Sequence, residues 1–359
     1  MRKIDDEIQA LLSEHRGDIR SILKDNHRLD LLYALSSQRE LLLEWYDFEP
    51  EAEVLQVGAD YGALTGLLRS SVSAVTVLDE TESALETVRQ RYPGAANIYY
   101  RKDSLAGYAA EACAEGKKYD YVIFAGTLTA PYEKHIHAAK SLLKPDGILI
   151  VGMKYFAGTV EEENALTKRQ LAELLCGDKE TQSMADESGT LKFYYPMPDY
   201  KTPVSIYSDA YLPKKGDLTR VTPAYDYPPY HLMEQGEKFD TVCEAGLFDL
   251  YANSYLVFWS ADPKQLQKDD ERIFIKYNKT RREEFQIKTC ICERNVIGAA
   301  GASGAAGADA TGNSAAGKKE RYVEKAALSL DGSAHIASFK EKYEKLTKQH
   351  RTLKVAEPK

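Results

Sequence analysis

Residues 54–64, VLQVGADYGAL, decide the fold. An apolar run, Val54–Val57, stops at Gly58. The chain then turns through Ala59, Asp60 and Tyr61, passes Gly62 and enters ALTGLLRSS, a stretch of helical character. A second apolar run, AVTVLD, closes on Asp79. Strand, glycine turn, helix, strand and terminal acid form the first half of a nucleoside-binding α/β sheet. Glycine lets the backbone turn tightly, and an acid at the second strand tip accepts hydrogen bonds from ribose hydroxyls. Asp79 also has a plainer reading as a helix N-cap, a position that Asp favours.

The alternation continues on the C-terminal side. NIYYRKD, YDYVIFAG and GILIVGM are short, apolar and β-branched, and the helical stretches ESALETVRQRY and EKHIHAAKSLL stand among them. Strands of this kind are covered on both faces, and strands joined through helices lie parallel. A helix, TKRQLAELL, then opens with a capping box at Thr167 and Gln170. The strands LKFYYPM and NSYLVFWSA flank a Tyr/Pro-rich insertion and suit an antiparallel edge hairpin. Residues 1–46 have helical spacing, with Ile4, Ile8, Leu11, Leu12, Ile19, Ile22 and Leu23 on the repeat. Ser37-x-x-Glu40 predicts a capping box before LLLEWY. IFIKYNKT, EEFQIKTCICE and RYVEKAAL read as strands, and 331–350 as a charged helix. The expected class is α/β: a doubly wound, mostly parallel seven-stranded sheet with an antiparallel edge hairpin, plus a small C-terminal α+β appendage. The expected divisions are a helical segment 1–48, a sheet domain 49–262 with insertion 196–250, and an appendage 270–350 carrying a flexible Gly/Ala/Ser-rich loop 296–318.

A formal charge of −8 argues against nucleic acid or an anionic membrane as main partner, since both reward clustered Lys and Arg. No apolar run approaches the roughly eighteen residues of a membrane span, and the N-terminus lacks a signal-peptide pattern. A soluble cytoplasmic protein is expected. The cysteines are scattered; Cys290 and Cys292 are close, but C-x-C without a second ligand pair is no zinc site, so no metal is expected and the thiols read as reduced.

A dinucleotide fingerprint needs glycines at the first and third turn positions, and the third here is Asp60, whose charge would face a pyrophosphate. A nicotinamide-dependent oxidoreductase is therefore a poor match. Glycines at the first and fifth positions, Gly58 and Gly62, resemble instead the first motif of class I S-adenosylmethionine-dependent methyltransferases. The segments SSQRELLLEWYDFEPEAEVLQVGADYGALTGLL, YDYVIFAGTL, SLLKPDGILIV, KFYYPMPDYKTPVSIYSDAYLPKKGDL and EAGLFDLYANSYLVF extend that resemblance over roughly residues 35–260. They look like a bacterial branch often found among cell-surface glycan genes. The resemblance implies S-adenosyl-L-methionine as cofactor and a small-molecule or glycan acceptor. By position, Gln56, Gly58, Asp60 and Gly62 would form the cofactor turn and Asp79 would bind the ribose hydroxyls. Asp103 would sit beside the adenine, and Ala125–Gly126–Thr127 near the methyl group. Three departures stand out: Gln56 replaces the strand-one acid, Asp60 replaces the central glycine, and the segment after the fifth strand is shortened. Asp60 would offset the lost carboxylate by facing the cofactor's ammonium. The departures also motivate a second account, a degenerate non-catalytic binding or scaffold partner in a surface-polysaccharide pathway.

His231, in the aromatic insertion, is the one histidine read as a candidate base. His135 and His137, two apart on a predicted helix, point in different directions and make no metal pair. The tyrosines 194, 195, 200, 207, 211, 225, 227 and 230 suit either a lid that stacks on a polar acceptor or plain packing at a sheet edge. Lys325, in YVEKAAL, faintly resembles a kinase small-lobe lysine but lacks any following catalytic motif, and reads as a surface residue.

Overall fold

The computed structural model describes residues 2–154, 165–177, 189–218, 235–267, 270–279, 286–296 and 318–328. Its parallel core is β1 (Glu53–Val57), β2 (Ala74–Asp79), β3 (Ile98–Lys102), β4 (Tyr119–Ala125) and β5 (Leu143–Lys154). Antiparallel strands follow: β6 (Thr190–Met197), β7 (Ser205–Ser208), β8 (Ser254–Ser260), β9 (Asp270–Asn278), β10 (Ile287–Val296) and β11 (Lys318–Ala327). All belong to one eleven-stranded sheet ordered β11-β10-β9-β7-β6-β8-β5-β4-β1-β2-β3. β8 lies antiparallel to both β5 and β6, so β6 runs in the direction of β5.

This corrects the expected seven strands and separate appendage. β9 pairs with β7 through Ser205↔Lys276 and Ile206↔Ile275, and β10 and β11 add beyond it. The cause lies in alternation: Ile273, Ile275 and Tyr277 on β9 are all buried, so the strand completes an edge that would otherwise present unpaired backbone groups.

The helices are α1 (Arg2–Glu14), α2 (Ile19–Asp25), α3 (Leu29–Leu35), α4 (Thr65–Ser71), α5 (Glu82–Arg91), α6 (Leu105–Ala114), α7 (Tyr132–Ser141), α8 (Lys168–Cys176), α9 (Gln235–Glu244) and α10 (Phe248–Tyr251). Leu68 of α4 and Leu85 and Val88 of α5 cover one sheet face beside Val54 and Val75, together with the segment Leu41–Phe48. Leu105 of α6, Ile136 of α7 and Leu171 of α8 cover the other beside Leu55, Val122 and Val151. Residues 54 and 55 thus serve opposite cores, as the two-residue period of a strand requires. Each large side chain fully buried this way contributes about 1.5–3 kcal/mol.

The Thr167–Gln170 capping box forms. The one expected at Ser37 does not: Ser36 is the cap, its hydroxyl accepting from Gln38 N at 3.2 Å, and Ser37–Leu42 is a 3-10 turn. The N-terminal helices have their own core of Ile8, Leu12, Ile22, Leu31, Ala34 and Leu35, against which Tyr61 of the glycine turn packs. Among the described residues no helix is long and apolar enough to cross a membrane. The loop 298–317, the helix 331–350, the segment after β5 at 155–164 and the stretch 219–234 lie outside the described residues.

Candidate functional site

The β1 turn is built on consecutive left-handed residues: Asp60 (φ 40°), Tyr61 (φ 54°) and Gly62 (φ 74°), after Gly58 at φ 85°. Asp tolerates this region, whereas Tyr there costs about 1–2 kcal/mol. Tyr61 is held by its hydroxyl, which donates to Asp5 at 2.8 Å, and by its carbonyl, which accepts from Arg91 Nη1 at 2.7 Å. Beneath the turn, buried Gln56 donates from Nε2 to the carbonyls of Gly58 (3.1 Å) and Ala59 (3.2 Å). Its Oε1 accepts from Thr65 Oγ1 at 2.8 Å. Both ends of the amide are satisfied internally, so Gln56 holds the turn's shape from below.

Asp79, at the tip of β2, reaches back to this turn. Its Oδ2 accepts from Ala59 N at 2.9 Å, and its Oδ1 accepts from Thr81 N (2.9 Å) and Thr81 Oγ1 (2.8 Å). The N-cap of α5 is Thr81, so Asp79 links the strand tips instead of capping the helix. Asp103 follows β3; its backbone N donates to Asp79 O at 3.1 Å, and its carboxylate accepts from Ser104 N at 2.7 Å. Two half-buried carboxylates therefore stand on neighbouring strand tips beside the glycine turn.

Gly126 ends β4 at φ 85°, its N–H donating to Gly152 O at 2.7 Å. The Tyr200 ring lies directly over it: an added Cβ would stand 2.6 Å from Tyr200 Cε2. Likewise a Cβ on Gly58 would stand 2.5 Å from Thr127 Cγ2, and one on Gly62 would stand 3.1 Å from the Tyr92 ring. At each of the three glycines a protein side chain thus occupies the place of a Cβ, although Gly126 itself is exposed and Gly58 half-buried. Gly126→Ala is expected to cost about 2–3 kcal/mol, from the left-handed backbone and the collision with Tyr200 combined. A urea midpoint equal to that of the parent protein would contradict this packing.

Asp60 does not stand alone in the turn. Its Oδ2 is paired with Arg39 Nη2, and the Arg39 side chain is only 2% exposed. Arg39 Nη1 also donates to Tyr33 O at 2.6 Å. Beside this pair, Lys201 places its ammonium 5.0 Å from the centroid of the Tyr33 ring. Burial, and then the nearby Arg39 charge, push the Lys201 pKa down. Asp199, also among the charges acting on Lys201, accepts from the Lys201 backbone N at 2.5 Å. Arg39 and Lys201 were not sequence candidates. Arg39 stands among polar residues in LSSQRELLLEW, so nothing in the local sequence marked it as buried.

The remaining candidates do not join this cluster. His231, Tyr225, Tyr227 and Tyr230 lie outside the described residues. His135 Nδ1 is 2.8 Å from Thr129 O, and His137 is exposed. Tyr194, Tyr195, Tyr200 and Tyr207 are buried and Tyr211 is half-buried; Tyr195 and Tyr207 pack against Phe248, whereas Tyr200 stands beside Gly126. Lys325 is exposed on β11. Among the described residues no group of three or more His, Cys, Asp or Glu could hold a metal ion.

No family model matches this sequence, and no curated protein matches it. Among solved structures, it is similar to the N-methyltransferase NodS from Bradyrhizobium japonicum WM9 in complex with S-adenosyl-L-homocysteine. Identity there is 19%, coverage 46% of this chain and 83% of that one, and the TM-score 0.35. It is also similar to an rRNA methylase from Streptococcus thermophilus, with 14% identity, coverage of 63% and 95%, and a TM-score of 0.34. A third is phosphoethanolamine N-methyltransferase 1 from Haemonchus contortus, in complex with phosphoethanolamine and S-adenosylhomocysteine. The values there are 16% identity, coverage of 55% and 45%, and a TM-score of 0.36. At such scores nothing of those proteins' chemistry carries over to this chain.

Proposed function

We propose that this chain is an S-adenosylmethionine-dependent methyltransferase acting on a small-molecule or glycan acceptor. The observation that carries the reading is the placement of Asp79 and Asp103 on neighbouring strand tips beside the Gly58 turn. The sheet around them is ordered β3-β2-β1-β4-β5-β8-β6 with β8 antiparallel. The residues present suit the chemistry of the cofactor. Asp79 accepts three hydrogen bonds from its own chain, and a carboxylate offers about four acceptor sites, so capacity is left for a ribose hydroxyl. Across the turn, Arg39 and Lys201 carry positive charge and Asp60 and Asp199 negative charge, a set complementary to an amino-acid zwitterion.

In this reading Gly58, Asp60, Gly62, Asp79, Asp103 and Gly126 contact the cofactor, and Gln56 acts through the turn it supports. The cofactor, when bound, supplies a methyl group already activated by its sulfonium. The protein's task is then orientation of the acceptor and exclusion of water. A neutral acceptor would also need a group to take its proton. His231 remains the sequence-based candidate for that role.

One observation favours the second reading, a non-catalytic binding or scaffold protein: Gln56 and Asp60 are taken up by partners within the protein, and Thr127 and Tyr200 stand against one side of Gly58 and Gly126. Isothermal calorimetry with S-adenosylmethionine and S-adenosylhomocysteine separates the two. Heat from the parent protein, weakened about tenfold or more in Asp79→Asn, supports the enzyme. Heat appearing only in Tyr200→Ala supports the closed, non-catalytic form. Silence from both proteins removes the methyltransferase reading.

A further inference from the structure

A cavity of about 400 Å³ lies on the antiparallel half of the sheet, away from the glycine turn. Its position follows from the register. Lys192 and Tyr194 sit on β6, with Lys192 opposite Phe258 and Phe258 opposite Ile150 of β5. Tyr200, the residue over Gly126, comes only after β6 has ended. The cavity therefore opens on the antiparallel side of the sheet, with β5 and β4 between it and the Gly58 turn that follows β1. Strands β9, β10 and β11 supply its far wall through Arg272, Cys292 and Tyr322.

The lining combines aromatic rings with matched charges. Trp45, Tyr46, Tyr194, Phe258 and Tyr322 provide the rings. Lys192 pairs with Glu271 at 2.7 Å, and Arg272 pairs with Asp47 at 2.6 Å and Glu324 at 3.3 Å. Lys192 and Glu271 are 23% and 26% exposed. Such a partly buried pair is a poor stabiliser compared with apolar residues of similar size, so its place beside an aromatic hollow points to recognition. Asp47 is exposed and Glu324 half-buried. The arrangement narrows the class of guest. Lys192 and Arg272 oppose a cation, and three carboxylates against two cations oppose an anion, which leaves a neutral molecule. The rings meet at steep angles, with Trp45–Tyr194 at 54°, Trp45–Phe258 at 64° and Tyr194–Phe258 at 73°. Tyr46 and Phe258 are more nearly parallel, at 32°, but their centroids are 5.0 Å apart and they fill the space between them. No slot between parallel faces is left for a planar base. Trp45, Tyr194 and Phe258 are buried against one another, so the half-buried rings of Tyr46 and Tyr322 supply the faces. A puckered ring suits such single faces, and its hydroxyls suit the carboxylates and the guanidinium.

We infer that this cavity binds a neutral monosaccharide unit, at a site separate from the glycine turn and formed with the C-terminal strands. The test is ligand-observed saturation-transfer NMR on the full chain. The probes are methyl glucoside, methyl galactoside, methyl rhamnoside and N-acetylglucosamine, with inorganic phosphate, adenosine monophosphate and choline as charged comparators. At least one sugar should give transfer, and its affinity should fall about ten- to hundredfold in Lys192→Met/Glu271→Gln, which removes the charged pair but keeps an acceptor for Tyr194. That double variant is expected to melt close to the parent, because replacing a complete ion pair is nearly neutral. Arg272→Lys, which keeps the charge but loses the fork, should weaken the same sugar if the double variant fails to fold. No transfer from any sugar overturns the inference. So does sugar binding that is unchanged in a folded variant, or a charged comparator that competes the sugar away.

Discussion

Replacing Arg39 by methionine is expected to lower stability by about 3 kcal/mol, the low end of the range for breaking a buried ion pair. The side chain is 2% exposed, while its partner Asp60 is 23% exposed and recovers some hydration when left alone, which sets the low end. The variant loses the bond to the Tyr33 carbonyl as well as the Asp60 pair. Because the pair joins the segment before β1 to the turn after it, the damage should centre on the glycine turn. The double variant Arg39→Met/Asp60→Asn should recover part of the loss, since it no longer leaves a carboxylate facing a vacated cation site. Urea midpoints of the parent, the two single variants and the double variant form the needed cycle. A coupling near zero would show that the pair does not hold the turn.

Restoring the acid that the resemblance leads one to expect at position 56 should harm this protein. In Gln56→Glu a carboxylate oxygen replaces Nε2, which now donates to the Gly58 and Ala59 carbonyls. Two carbonyls would face an acceptor with no hydrogen between them, at a position only 3% exposed. A cost of about 3 kcal/mol at neutral pH is expected, above the range for one unsatisfied buried group because a charge is involved. The sign of its pH dependence follows. Burial against carbonyls raises the folded-state pKa of the new acid above its unfolded value of about 4.3. Below the unfolded value both states are protonated and the charge adds no penalty. The deficit then grows as pH rises from there to the folded value. Thermal melts at pH 4 and pH 8 should therefore show a smaller gap from the parent protein at pH 4. A gap constant across that range would rule out the carboxylate as its cause.

These two positions also show how far the sequence could be read. The β1 turn was legible because Gly58 and Gly62 interrupt apolar runs, and Asp79 was legible as an acid closing the second run. The capping box at Thr167 and Gln170 formed as its spacing requires, since both partners lie within one helical turn. The similar pattern at Ser37 and Glu40 did not, because Ser36 is the cap of a 3-10 turn whose residues are drawn into the core. β9, β10 and β11 were each recognisable as strands. That they extend the main sheet was not, because the strand that joins them to it, β9, pairs with β7 some seventy residues away in the chain.

Local periodicity and the conformational freedom of glycine are properties of short segments, so the sequence alone determined the strand–turn–helix order, the doubly wound core and the glycine turn. Which atoms the turn's side chains meet is a long-range matter. Arg39 takes the Asp60 carboxylate, Tyr200 stands against Gly126 and Gln56 bonds the carbonyls above it, contacts set by how distant elements stack. Only the tertiary structure decided those, because burial fixes the partner a polar group must find, and no short window of sequence contains that partner.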